Sequence, residues 1–569
     1  MAHMHKKIKN GKPFYYVRET AWVNGKSKVV NQVYIGSPET IRDLKIERNT
    51  PDIQKIQLQA FGALWLANQI EERVGIVDII DSILPKRGHG PSFGEYFLYA
   101  AFHRMIDATS KHALPEWYAK TAVQSIRPVD LTALDSNGYH RKWSAVSEED
   151  LKKIAKAFFQ QVASLQDPAD GCFLFDTTNF YTLIASKTDS ELAKRVKNKE
   201  GRNWLRQIGL ALMVDRHSRF PFHYHEYPEN CHDSKVFSML LDELACGMRE
   251  SGKQDLTLVI GKGMNAPENF QAIDKMRDVH FITAYAPHHA QELVLTKRHR
   301  FTPLATPSNK ILLEQGEEED CLLAWRTKGE YWGRERTVVV TYNPHTASKK
   351  RHDFDEKLEM IKLSLFEMRA IVSAGAPDWK KEEDVRKRYA NKCEEVYMPA
   401  DLFDLNFKHK NGKMAMSFHK NFHRIEKHIE KFGKNILITD RAEWSTEEIV
   451  QAARDRNLVE EEFRPSKNDD LANMAPIRHW TDTTIRCHFL SCVIALTYSR
   501  ILEFILSKTD FPMTAKRCMD IMRDLGSCLC WSSKNTVKPH RIIEAPTPAQ
   551  AAIIQAFGFQ VVKGILEKL

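Results

Sequence analysis

The order of five short apolar runs constrains this chain more than any other feature. They are CFLFD, QIGLALMVD, FPFHYHEY, LTLVIG and HFITAY, all between residues 172 and 285. Each has strand length and is rich in aromatic or branched aliphatic residues. The first three follow one another as a meander. The fourth and fifth flank helical stretches. A chain with this order must build an α/β sheet whose strand ends carry whatever polar residues close the runs.

Three meandering strands, then helix, strand, helix, strand, is the order of an RNase H-like α/β fold; another α/β sheet could share it. The flanks divide the rest of the chain. PFYYVRET and KVVNQVYIG alternate in polarity around Asn24-Gly25, a pair suited to a type I′ turn, and predict a β-hairpin unit over 1–50. Helical periodicity begins near Ile53. Ser92 with Glu95 forms a capping box ahead of Leu98, Phe102, Met105 and Ile106, and Ser147 with Asp150 opens a helix burying Leu151, Ile154 and Phe158. Residues 51–168 therefore read as a helical domain, expected to bind DNA, and 169–286 as the first part of the core. Over 287–434 the charge density rises through KRHR, KKRH and KKEEDVRKRY, around the β-like runs ILLEQ and RTVVVTY, which predicts a β-rich basic insertion. ILIT resumes the core over 435–482, with one helix running through Glu460. Thr547, Pro548 and Gln550 start a helix in a C-terminal helical domain, 483–569.

A formal net charge of +9 fits a polyanionic partner without specifying one. Ten cysteines with no Cys-x-x-Cys pair predict reduced thiols rather than a metal knuckle. The start, MAHMHKKIKNGK, is too polar for a signal peptide. The uncharged stretch Cys487–Ser499 is shorter than the roughly 20 residues a membrane span needs. A soluble, cytoplasmic protein with no membrane partner is expected.

Two acids stand out. Asp176 closes the first run, where an isolated carboxylate is more often a turn or cap residue than a ligand. Glu460 lies in RDRNLVEEEFRPSK. On one helix Arg456, Glu460 and Lys467 would share a face within roughly 40°. Such a stripe is commonly a solvated ion-pair ladder. It can also be a metal-ligating glutamate flanked by cations for phosphates. Pro465 interrupts the hydrogen bonding of that helix and can end it. His223, His225, Cys231 and His232 can be imagined around zinc, but a strand with two histidines on one face is the better reading.

Taken in order, several pieces resemble the DDE transposases of bacterial insertion sequences, in the IS-four superfamily with the Tyr-Arg-Glu-Lys helix signature. They are FGALWLANQIEERVGIVDIID, ALPEW, FDTTNFY, QIGLALMVDRHSRFPFHYHEYPENCHDSKVF, LTLVIGKGMNAPENF, ITDRAEWSTEEIV, RDRNLVEEEFRPSK and PIRHWTDTTIRCHFLSCVIAL. The resemblance implies three carboxylates from separate elements holding two Mg²⁺ (or Mn²⁺) ions for in-line attack on a phosphodiester. Asp176 matches the first acid and Glu460 the third, both as metal ligands. Arg456 and Lys467 match the signature cations, and Ala453 stands where the signature tyrosine would be. The second acid falls on Gly261, which has no side-chain ligand to offer.

The resemblance also implies double-stranded DNA as partner, with terminal inverted repeats bound by a homodimer. Lys262 beside Gly261, and Trp325, Arg326, Trp332 and Arg334 in the insertion, are the candidate DNA contacts. For the aromatics, including Tyr331, a place in the sheet core is an equal alternative. Three functions stay open: an active transposase using a substitute ligand, a transposase-type DNA-binding protein with impaired cleavage, and a non-catalytic protein of regulation, defence or scaffolding.

Overall fold

The structure is a computed structural model. It describes residues 2–23, 26–40, 53–86, 88–166, 170–184, 188–195, 204–228, 230–250, 252–410, 413–467, 474, 477–532 and 539–569. The chain forms two compact units, Met1–Leu256 with Asn457–Leu569, and Thr257–Arg456.

The first unit begins with an antiparallel sheet of β1 (Ala2–Lys9), β2 (Lys12–Val23) and β3 (Lys26–Gly36). Asn24-Gly25 lies outside the described residues, but β2 and β3 pair from Val23↔Lys26 to Tyr15↔Gly36, with register shifts at Glu19/Thr20 and Tyr15/Tyr16. The polar start is itself a strand. Asn10 and Gly11 both have positive φ, 50° and 76°, as a type I′ turn requires, so the expected single hairpin is two. After β4 (Ile53–Ala60) come α1 (Gly62–Val74), α2 (Ile76–Ile83), α3 (Phe93–Ile106), α4 (Ser136–Trp143) and α5 (Glu148–Leu165). Both bonds of the Ser92–Glu95 capping box are present, and Leu98, Phe102, Met105 and Ile106 are buried. A meander of β5 (Cys172–Thr182), β6 (Arg206–Asp215) and β7 (Pro221–Pro228) follows, antiparallel throughout, and then α6 (Asp233–Arg249).

In the second unit β8 (Leu256–Ile260) is buried along its length. The chain then forms α7 (Pro267–Ile273), β9 (Val279–Tyr285), α8 (Pro307–Glu314), β10 (Leu323–Tyr331) and β11 (Arg334–Tyr342). Next come α9 (Pro344–Ala374), α10 (Glu382–Glu395), β12 (Phe403–Lys410), β13 (Lys413–Lys420), β14 (Lys434–Thr439) and α11 (Thr446–Asp455). The unit's sheet runs β10-β11-β14-β9-β8. The β-rich character expected of 287–434 holds only in part. β10 and β11 extend this sheet through β14, whereas α9, α10 and the β12-β13 hairpin share a separate core around Leu358, Ile361, Leu365 and Leu405. ILLEQ belongs to α8 rather than to a strand. Thr306 accepts from the Asn309 N–H and Pro307 opens the first turn, and those caps outweigh the branched residues.

The chain returns to the first unit with α12 (Asn457–Lys467), α13 (Asp482–Ser507), α14 (Ala515–Arg523), β15 (Gly526–Ser532), β16 (His540–Ile543) and α15 (Pro548–Ala556). By length and composition alone α13 could cross a membrane, but Cys487–Ser499 is buried throughout and the helix packs on α3. The C-terminal stretch is not purely helical, because β15 pairs with both β16 and β4. None of the ten cysteines is in a disulfide.

Glu71 ties these helices together. Its carboxylate accepts the Ile76 and Val77 N–H groups at 3.1 and 3.2 Å, capping α2, and Tyr498 on α13 donates to it at 2.5 Å. Burial pushes the Glu71 carboxyl up, and the Tyr498 hydroxyl opposes that shift most strongly. Tyr498→Phe removes a hydrogen bond to a buried acid and is expected to lower stability by about 1.5–3 kcal/mol in chemical denaturation. A loss below about 0.5 kcal/mol would mean that water replaces the hydroxyl.

Candidate active site

Asp176 sits where β5 changes character. Cys172–Phe175 are buried, and Asp176, Thr177, Thr178 and Asn179 are half-buried. The strand does not end at the acid as its apolar run suggests. Pairing with β6 continues from Asp176↔Leu212 to Thr182↔Arg206, because backbone ladder bonds need no apolar side chains. Asp176 Oδ1 accepts the Thr177 N–H at 2.9 Å.

The helix that carries Glu460, α12, packs on β5. Val459, Glu462 and Phe463 form its buried face, and Glu460, about 100° around the helix from Val459, is exposed. The docking acid is Glu462, which sequence reading passed over. It is fully buried between Arg219 at 2.6 Å and Arg500 at 2.5 Å. Burial raises its carboxyl pKa against the pull of Arg500 and then Arg219. Arg219 is set by a tight turn after β6. Asp215 accepts the Ser218 N–H and hydroxyl, both at 2.7 Å, and Arg219 takes a left-handed φ of 62°. The available signal was the spacing of Val459, Glu462 and Phe463 at i, i+3 and i+4.

The expected single helix from Arg456 to Lys467 is two. α11 ends at Asp455, Arg456 caps it, and α12 starts anew at Asn457, with two weak helix formers, Asp455 and Asn457, at the join. α12 continues through Pro465 to Lys467, whose side chain lies outside the described residues. Ala453 is half-buried on α11.

In the second unit Gly261 follows β8, buried, with φ −79° and ψ 162°. That is ordinary extended backbone, so the turn does not demand glycine. Lys262 is exposed in the following single helical turn, Lys262–Met264. The insertion candidates are mostly engaged within the unit. Arg326 donates to the carbonyls of Trp444 and Ala442, both at 2.6 Å. Trp332 stacks on Phe270 with ring centroids 3.7 Å apart and forms the two-residue loop Trp332-Gly333 at a φ of 53°. Arg334 lies 3.3 Å from Asp274, which also holds the buried Arg336. Trp325 is half-buried beneath Arg300.

Asp176 and Glu460 are oxygen donors suited to Mg²⁺ or Mn²⁺, on two elements that pack together. Among the described residues, however, no three His, Cys, Asp or Glu side chains gather closely enough to hold an ion. The donor set thus falls short of a shared two-ion site. His223 and His225 on β7 are neutral, held down to about 3 and about 4 by burial, and make no zinc centre with the described residues.

A family model described as the transposase DDE domain matches residues 171–497. The chain belongs to this transposase family. The match takes in Asp176, Gly261 and Glu460. DDE transposases act on DNA with divalent ions, and this member's fold is mixed α/β. Among solved structures, the synaptic complex of piggyBac transposase with hairpin DNA is 9% identical, with a TM-score of 0.37. It covers 83% of this chain and 82% of its own. The Mos1 transposase paired-end complex with the left transposon end is 10% identical, with a TM-score of 0.16, covering 37% and 63%. Both likenesses are faint. No curated protein matches the chain.

Proposed function

We propose that this transposase recognises the ends of its element as duplex DNA while its strand cleavage and strand transfer are impaired. The observation that carries the reading is Gly261. It stands at the end of β8, where the family's second acid is expected, and it offers hydrogen instead of a carboxylate. Asp176 and Glu460 supply two oxygen donors on packed elements, which suits the first and third acids. The meander β5-β6-β7 in one unit, and β8 beside β9 in the other, support an RNase H-like core. Arg456, Lys467 and Lys262 are the basic residues we assign to DNA phosphates. Binding depends on such cations and not on the missing acid, so it survives the loss of catalysis.

Terminal inverted repeats bound by a homodimer complete the proposal. Affinity for a labelled repeat should fall steeply with salt, with a logarithmic slope of about 0.9 per phosphate contacted. A scrambled duplex should bind at least about tenfold more weakly, a margin of one to two base contacts. Equal affinity for both duplexes, or no binding at low salt, would overturn the reading.

A further inference from the structure

A cavity of about 650 Å³ opens in the first unit between α3, α4 and the segment leading into α13. Its volume lies in the range of small-ligand sites. Arg104, Lys111 and Arg478 give it three cationic side chains, and none of its described lining residues is Asp or Glu. Lys111 Nζ lies 4.6 Å above the Trp143 ring and 3.3 Å from His479 Nε2. Burial, then Arg104, brings its ammonium down to about 7, and burial, then Lys111, holds His479 well below its ordinary value. The described lining is therefore basic in composition, with no acidic side chain.

Two of its lining side chains also carry buried hydrogen-bond donors. Tyr139 and Trp143 are each 1% exposed, and neither Tyr139 Oη nor Trp143 Nε1 has a hydrogen-bond partner. Buried donors of this kind are ordinarily satisfied, and leaving them bare is costly. An oxyanion in the cavity would meet the basic side chains of Arg104, Lys111 and Arg478. At the rim Trp480 is 63% exposed, a large apolar ring that the fold has left in solvent. A cationic recess beside an exposed aromatic is the combination that binds nucleic-acid strands, phosphate in the recess and base on the ring.

We propose that this cavity seats a phosphate of the DNA backbone, with Trp480 lying against the adjoining nucleoside. The proposal rests on the reading that the protein binds DNA, and adds a contact site built from α3, α4 and the segment leading into α13. Arg478 and Trp480 are exposed, so their variants should fold, which a thermal melt would verify. The probe is a short labelled duplex and its single strand, followed by anisotropy across a salt series. Trp480→Ala and Arg478→Ala should each weaken binding about tenfold, and Trp480→Phe should retain most of the affinity because a ring remains. Arg478→Ala should also lower the logarithmic salt slope by about one. If the wild type binds but Trp480→Ala and Arg478→Ala bind within about twofold of it with unchanged slopes, the cavity is not a DNA site and the proposed function stands without it. If the wild type binds neither probe, the proposed function falls and the cavity assignment with it.

Discussion

Arg500→Ala should lower the stability of the first unit by about 3–5 kcal/mol at neutral pH, the range seen when one partner of a buried ion pair is removed. Glu462 is fully buried, and the variant removes the Arg500 guanidinium from it while Arg219 stays. Arg219→Ala should cost less, because Arg219 is partly exposed and also serves Glu461 at 3.4 Å. The pH dependence carries a sign. Burial raises the folded-state pKa of Glu462, so protonation favours the folded state as pH falls through that raised value. Losing Arg500 raises it further. The deficit of Arg500→Ala relative to wild type should therefore narrow on acidification, since a protonated Glu462 needs no cation. Glu462→Gln in the Arg500→Ala background should recover stability at neutral pH for the same reason. Denaturation midpoints at two pH values test this; a loss under about 1 kcal/mol, or a deficit that widens in acid, would show that Arg500 does not carry the Glu462 charge.

The same helix shows which parts of this molecule its sequence discloses. Helix caps are chemistry between residues three or four apart, and they were legible. Ser92 with Glu95 and Thr547 with Gln550 form the capping boxes their spacing implies. Asn10-Gly11 carried the same signal as Asn24-Gly25 and was passed over only because polar flanks hid the strands. What stayed hidden depends on partners far away in the chain. Three consecutive glutamates, 460 to 462, look alike until Arg219 and Arg500 are brought to one of them. β5 outlasts its apolar run because β6 supplies ladder partners to Thr182. Trp332 looked as free to meet DNA as to pack, and it is Phe270, 62 residues earlier, that decides its surroundings.

Gly261→Asp should nick the element's ends, which on the proposed reading the wild type leaves intact, with a gain of at least about a hundredfold over background, or about 2.7 kcal/mol of barrier. The backbone at Gly261 sets no obstacle. Its φ of −79° and ψ of 162° are open to any L residue, so an aspartate there introduces no conformational strain. What it introduces is charge and two oxygen donors at the end of a buried strand, the kind of ligand that divalent ions in phosphoryl transfer require. Gly261→Asn separates the two effects, because it adds similar bulk without the charge and should stay inactive. Activity in Gly261→Asp should disappear on chelation of Mg²⁺ or Mn²⁺. It should also disappear when Asp176→Asn or Glu460→Gln is added, because the proposed reading assigns both acids as metal ligands. DNA binding should change little across the series, which tells a catalytic lesion from a folding one. Robust cleavage by the wild type would show that another group already fills the second acid's place. A folded, DNA-bound Gly261→Asp that leaves labelled ends intact would mean that glycine is not the lesion, because the variant supplies the missing carboxylate at that position.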